Sequence, residues 1–461
     1  MSSTKKYRIP QKIAKQFNKI RSNHRYLCHA PFSAISIGYD GQVGPCCYTL
    51  MPDTITGNAF YSPACTLKQI WEGEVFAKYR KLIRRDKLPP SCSLCREKLL
   101  QNNFDSVKIQ EFDQLMPQKK FPALIELNID NTCNLECVMC SSVNSSKIAA
   151  RSGIKTRQPD SGALFRQLQG FLPHTKEVIF SGGEPFMSEI YFRIWEELIS
   201  VNPGCIITLN TNASFISSRA KEIIEQGNFK FNISIDSIVK ETYEKIRVNS
   251  KFETFSQNFD YLCDYSARHN VPVSAPVCPL TLNYKEIPGL IKFCNGHSAY
   301  MVFLHVFGAH SVALNAASVE ILEDALHIFN QTPLPENNSV EKHNALRFRS
   351  FIAEVKNWID QAKMREAFIK NLDLNAGTFQ KKYDEWQNRL CAGLLEKSDK
   401  EVILDKTKYV FEELPAYFKS EIFIATLDDY PPETFVPILR KLPAHEVAEL
   451  FRIIFNQRIN P

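Results

Sequence analysis

The stretch Cys133-Asn134-Leu135-Glu136-Cys137-Val138-Met139-Cys140 sets three thiols at i, i+4 and i+7. The same spacing marks one stripe of a helix, and a free cysteine packs as a small apolar residue, so spacing alone leaves a buried helical face and a ligand set both open. The flanks decide: "ALIELNID" (123–130) alternates as a strand does, and "NTCN" (131–134) has loop composition. Three thiolates on a loop after a strand suit an iron–sulfur cluster, since a four-iron cluster has four corners to fill. Three cysteines leave one iron open, where a substrate or cofactor binds; a zinc site would need a fourth ligand from elsewhere.

Further polar signals follow in order. "FSGGEPF" (180–186) closes a second apolar run, "LNTNA" (209–213) a third and "ISIDS" (233–237) a fourth, with "YEKIR" (243–247) on the helix after it. Cys-x3-Cys-x2-Cys with this series, over roughly residues 121 to 310, resembles the radical S-adenosylmethionine (SAM) enzymes. The resemblance implies that Cys133, Cys137 and Cys140 hold one [4Fe–4S] cluster, whose open iron the amino and carboxylate groups of SAM chelate. It places Gly182, Gly183, Glu184 and Pro185 at the methionyl amino group, with the Glu184 carboxylate against the ammonium. Ser234 and Asp236 meet the ribose and methionyl parts, Asn212 is a further contact, and Arg247 is a candidate for the SAM carboxylate, with a surface salt bridge as its alternative. Met139 stands where the commonest pattern has an aromatic, and its thioether can pack on adenine. The implied chemistry is reductive cleavage of SAM to a 5′-deoxyadenosyl radical that takes a hydrogen atom from substrate.

Six strand-like segments, "LIELNID", "EVIFSGG", "CIITLNTN", "KFNISID", "VPVSAPV" and "AYMVFLHVF", alternate with helical stretches from 121 to 310. That alternation predicts α/β architecture with a parallel sheet, matching the partial (β/α)6 TIM-like barrel that the resemblance implies. In such a sheet functional groups collect at the C-terminal strand ends, where the motifs fall. Cys278 ends the fifth run and is a candidate hydrogen-atom donor; Cys205, Cys263, Cys294 and Cys391, in apolar contexts, read as core.

Residues 25–110 carry a second cysteine set. Asp40-Gly41 between alternating runs reads as a hairpin, and Thr66 with Gln69 as a capping box that opens a helix. Cys28 precedes the hairpin, Cys46 follows it, and Cys92 and Cys95 form a Cys-x2-Cys after the helix. With Gly57-Asn58 and "LKQIW" (67–71), this resembles the SPASM and twitch modules of radical SAM enzymes, here N-terminal to the core rather than after it. Cys28, Cys46, Cys92 and Cys95 are then the ligands of one auxiliary [4Fe–4S] cluster for electron transfer, although four cysteines suit structural zinc equally and Cys47 competes with Cys46.

The 461 residues are enough for two or three units, here the auxiliary module (25–110), the core (121–310) and a helical C-terminal region (315–461), preceded by a basic arm (1–24). The first 25 residues hold eight Lys or Arg and no acid, and Ile13, Phe17 and Ile20 recur at helical spacing, predicting a helix docked by one face; an acidic peptide partner is the alternative. A formal net charge of +6 argues against general nucleic-acid binding. Without a run of eighteen apolar residues or a secretory signal, a cytoplasmic protein free of membranes is expected, its thiols reduced. The leading expectation is an enzyme acting on a peptide or protein side chain, with flavodoxin or ferredoxin as reducing partner. The alternatives are a dehydrogenase or epimerase of a small molecule such as a sugar or aminocyclitol, and a non-catalytic iron–sulfur electron carrier.

Overall fold

The computed structural model describes residues 8–21, 26–39, 41–50, 66–104, 107–115, 120–151, 161–306 and 312–371, with 384–385, 387–388 and 404–408. Asp40, Gly57-Asn58, Cys65, Cys391 and the amphipathic segment 444–455 lie outside these residues.

One sheet organises the chain. Its strands are β1 (Ala34–Ile37), β2 (Val43–Gly44), β3 (Leu124–Leu127), β4 (Glu177–Phe180), β5 (Ile206–Thr211), β6 (Phe229–Ile233), β7 (Val273–Val277) and β8 (Ala299–Phe303), in the order β2-β1-β3-β4-β5-β6-β7-β8. From β3 to β8 every neighbour is parallel and sequential, as the six alternating runs predict. Val178, Phe180, Leu209, Phe229, Phe231 and Ile233 are fully buried on the helix-facing side. Helix Glu189–Val201 sets Trp195 against Phe180 and Phe229, and helix Phe252–Arg268 sets Tyr265 against Phe231. The alternate residues, such as Asn210, Asn232 and Ser274, are half-buried and line the other face, the interior of the open barrel.

The N-terminal module is continuous with that sheet. β1 and β2 form the predicted hairpin, closed by Gly38 and Gln42, with Gly41 at φ +81°, a conformation glycine adopts without strain. β1 then pairs in parallel with β3, from Ala34 opposite Leu124 to Ile37 opposite Leu127, so the module extends the core sheet at its first strand. Thr66 and Gln69 make the expected capping box. Helix Gln11–Ile20 packs by Ala14 and Phe17, with Phe17 against Phe104, but Ile20 is 58% exposed; the face runs instead through Arg21, whose guanidinium pairs with Asp113.

β8 is the far edge of the sheet, where unpaired backbone groups need cover. Asn344, fully buried on the long helix Ser339–Asn371, supplies it: its Oδ1 accepts from Met301 N at 2.7 Å and its Nδ2 donates to Ala299 O at 3.0 Å. One carboxamide thus replaces one residue of a ninth strand. The chain divides into two compact units, one of residues 1–277, 286–303 and 334–350, the other of 278–285, 304–333 and 351–461. In the second, Phe351 packs on Phe329 and Trp358, and His305 pairs with Glu354 at 2.8 Å. Among the described residues no helix is long and apolar enough to cross a membrane.

Candidate active site

The cysteine loop leaves the C-terminal end of β3 and is a loop throughout, not a helical stripe. Asp130 Oδ1 accepts from Thr132 N and Oγ1, its Oδ2 from Ser188 Oγ at 2.6 Å, and Ser146 Oγ accepts from Cys133 N at 3.1 Å. On the far side Glu136 N and Val138 N donate to the carbonyls of Val248 and Ile246. Cys133, Cys137 and Cys140 are all partly exposed. Burial pushes Cys133 up to about 11 and Cys137 up to about 12; the nearby Arg247 guanidinium opposes this at Cys137, while Cys140 and Cys133 reinforce it. Three soft sulfurs that share a loop beside the Arg247 guanidinium are a donor set whose chemistry fits an iron–sulfur cluster, although among the described residues no three such side chains converge on one metal position.

The "GGEP" turn lies against this loop. A Cβ on Gly182 would stand 2.3 Å from Asp130 O, and one on Gly183 2.1 Å from Thr132 O. The space the glycines create is filled by the cysteine loop itself, bound through Gly183 N to Asp130 O at 2.9 Å and Glu184 N to Thr132 O at 2.7 Å. Glu184 is buried. Its Oε1 accepts from Thr211 Oγ1 at 2.6 Å and Phe186 N at 3.2 Å, and its Oε2 accepts from Asn212 N at 2.7 Å. The carboxylate therefore ties the end of β4 to the end of β5, and burial lifts its pKa to about 7 against those three donors. Pro185 is buried at the start of the following turn.

Ser234 and Asp236 follow β6, as the period-two pattern requires; Ser234 is half-buried and Asp236 fully buried. Arg247 Nη2 meets Asp236 Oδ2 at 2.6 Å in a buried ion pair, so the salt-bridge alternative describes Arg247 in this structure, but buried behind the cysteines rather than on the surface. Met139 is half-exposed on the loop between Cys137 and Cys140. Cys278 follows directly after β7 and is half-buried in the second compact unit, its carbonyl accepting from Asn283.

A feature missed from sequence is a row across the barrel interior. Asn210 lies opposite Asn232, Asn232 opposite Ser274, and Ser274 opposite Tyr300; the same register continued one residue past β4 and β3 adds Ser181 and Asn128. Asn210 Nδ2 donates to Ser181 Oγ at 2.6 Å and Asn232 Nδ2 to Asn210 Oδ1 at 2.7 Å. Asn128 Oδ1 is buried without a hydrogen-bond partner. All six positions are uncharged; Lys230 stands one layer deeper on the same face of β6. The signal was present as polar residues at period two in "LNTN" and "FNIS", but rows form only once strands are in register.

In the N-terminal module Cys28, Cys46 and Cys95 lie in one hydrophobic core with residues such as Phe17, Leu99 and Phe112, and Cys92 packs against it. Burial raises all four thiols, and Cys92 senses both Cys28 and Cys95. Cys47 is exposed. Its N–H donates to Glu126 Oε2 at 2.9 Å, and Lys108 holds Glu126 Oε1 at 3.2 Å, anchoring the segment after Cys46 to β3. Because β2 runs antiparallel, Cys46 returns toward the N-terminal end of the sheet, while Cys133 lies past the C-terminal end of the adjacent β3.

Residues 127–294 match the model of the radical SAM superfamily, and residues 28–96 that of an iron–sulfur cluster-binding domain, SPASM. The chain carries a radical SAM domain with a SPASM domain N-terminal to it. Its cofactors are accordingly SAM, a [4Fe–4S] cluster in the core and auxiliary iron–sulfur ligation in the N-terminal module. Among curated relatives, a probable GTP 3′,8-cyclase of Methanocaldococcus jannaschii is 23% identical over 255 residues, 54% of this chain and 76% of that protein. One from Methanocella arvoryzae is 22% identical over 44% of this chain and 62% of its own length, and the GTP 3′,8-cyclase of Rhizobium etli 21% over 42% and 54%. Among solved structures, anSMEcpe with bound AdoMet aligns at 15% identity and a TM-score of 0.34, covering 45% of this chain and 59% of that one. Streptococcus suis SuiB bound to precursor peptide SuiA aligns at 14% and 0.35, covering 56% and 58%.

Proposed function

We propose that this radical SAM enzyme uses Cys133, Cys137 and Cys140 as ligands of the SAM-binding cluster and acts on a peptide or protein side chain. When bound, the cluster and SAM supply a 5′-deoxyadenosyl radical that abstracts a hydrogen atom; the rest is the chain's own work. Asp130, Ser146 and the 246–248 backbone hold the cysteine loop, Glu184 locks the ends of β4 and β5 together, and the Asp236–Arg247 pair keeps a cation behind the thiols. Ser234, Met139 and the "GGEP" backbone are the proposed contacts to SAM. Cys28, Cys46, Cys92 and Cys95 are the residues that would hold the auxiliary cluster, which would supply electron-transfer capacity; Cys46 is preferred over Cys47 because it is buried in the same hydrophobic core as the others.

The observation that carries the substrate reading is the row Asn128, Ser181, Asn210, Asn232, Ser274 and Tyr300. Carboxamides and hydroxyls offer paired donors and acceptors that match an amide-bearing substrate. The nucleotide reading favoured by the names of the curated relatives would need several cations to hold a triphosphate, and these six positions supply none. Anaerobic incubation with SAM and dithionite tests the proposal. The parental protein should release 5′-deoxyadenosine, the Cys133→Ala, Cys137→Ala, Cys140→Ala variant none, and iron should fall from about eight to about four per chain. Continued release by the triple variant would overturn the ligand assignment. Added GTP should be recovered intact, and its consumption would overturn the peptide reading.

A further inference from the structure

Asn212 was expected to touch SAM, yet its surroundings point elsewhere. Its neighbour Ala213 has φ +52°, a left-handed conformation that is strained for a residue with a Cβ. The strain is held from three sides: Ala213 N donates to Thr211 Oγ1 at 2.9 Å, Asn258 Nδ2 donates to Ala213 O at 2.8 Å, and Asn212 N is fastened to Glu184 Oε2. Strain maintained so firmly near a functional loop invites the question of what it aims.

It aims the Asn212 carboxamide. Ser214 N donates to Asn212 Oδ1 at 2.8 Å, and Ser214 Oγ, itself bonded to Asn134 Nδ2 of the cysteine loop at 2.9 Å, lies 2.5 Å from the same oxygen. A backbone N–H only donates, so the atom facing it must be the oxygen, which fixes the amide orientation. The NH2 group is then directed to Cys133 Sγ, 3.8 Å away. Leu135 N approaches the same sulfur at 3.4 Å.

Resting on the assignment of Cys133 as a cluster ligand, we propose that Asn212 is a positioning residue that donates an N–H···S hydrogen bond to this sulfur and raises the reduction potential of the SAM-binding cluster. Adding an electron increases negative charge on the sulfurs, so a donor to sulfur stabilises the reduced form more than the oxidised one. The strained turn at Ala213 and the Asn134–Ser214 link keep the donor on target while neighbouring groups engage substrate and cofactor.

The test is an anaerobic redox titration of the reconstituted full chain, following by electron paramagnetic resonance the reduced-cluster signal that changes on adding SAM. Asn212→Leu should keep the parental iron content and SAM affinity, while its reduced-to-oxidised ratio at a fixed potential falls roughly two- to tenfold. Tenfold in a one-electron couple corresponds to about 59 mV. Ser214→Ala, which keeps the backbone donor and loses only the hydroxyl, should shift the midpoint in the same direction by less; it also serves if Asn212→Leu fails to fold. An unchanged midpoint in both variants would overturn the proposal. So would a tenfold loss of SAM affinity at an unchanged midpoint, which would make Asn212 a SAM contact. If instead the Cys133, Cys137, Cys140 triple variant kept its full iron, the ligand assignment would fail, an outcome distinct from either.

Discussion

Gly183→Ala is the sharpest probe of how the "GGEP" turn and the cysteine loop are joined. The new Cβ would meet Thr132 O at 2.1 Å and the carbonyl carbons of Asn131 and Thr132 at 2.6 Å, all backbone atoms with no side-chain freedom. Ordinary contact begins at 3.4 Å, so the two segments must part by about 1 Å. Overpacking of this kind costs about 1–3 kcal/mol. The separation also weakens the Glu184 N to Thr132 O and Gly183 N to Asp130 O bonds, at about 1 kcal/mol each. Alanine recovers about 0.4–1 kcal/mol by restricting the unfolded chain, leaving a net loss of about 2–5 kcal/mol. Urea unfolding of the reconstituted chain measures this, with iron content and SAM affinity read on the same samples. Gly296→Ala, in a helix where a Cβ meets nothing within 4 Å, is the control and should unfold at or slightly above the parental midpoint, gaining about 0.4–1 kcal/mol. Should Gly183→Ala match the control in midpoint, iron and SAM affinity, the close approach of the two backbones would be wrong.

Two further outcomes follow from buried carboxamide and carboxylate groups. Glu184→Gln places an NH2 among the Thr211, Asn212 and Phe186 donors, and should lower stability by about 1–3 kcal/mol in denaturant unfolding. Unchanged stability with a tenfold weaker SAM affinity would instead put this carboxylate on the SAM ammonium. Asn344→Leu leaves Met301 N and Ala299 O unpaired at the covered sheet edge, at about 2–5 kcal/mol; hydrogen exchange at Met301 should accelerate, and parental protection there would refute the strand-mimic role.

Much of the architecture was legible in the chain itself. The alternation of six short apolar runs with helical stretches set the parallel strands, because a helix between two strands carries the chain back to start the next strand in the same direction. Gly41 and the Thr66–Gln69 pair marked a turn and a helix start through local chemistry that needs no tertiary partner. The cysteine triplet and the GGEP turn were legible for the same reason: spacing on one loop is a property of one segment.

Tertiary structure decided what depends on residues far apart in sequence. The hairpin of the N-terminal module was readable, but its pairing with β3, which merges module and core into one sheet, depends on a hydrogen-bonded register between Ala34–Ile37 and Leu124–Leu127. Ile20 carries the right spacing to be buried and is exposed, because Arg21 and Phe17 found partners in Asp113 and Phe104, some ninety residues away. Glu184 and Asn212 could be singled out from sequence as polar strand-end groups, yet only the packed ends of β4 and β5 show one bound to the other's backbone and the second turned toward a sulfur. The row from Asn128 to Tyr300 exists only across six strands, since period two says which side a residue faces and nothing of the level at which it stands.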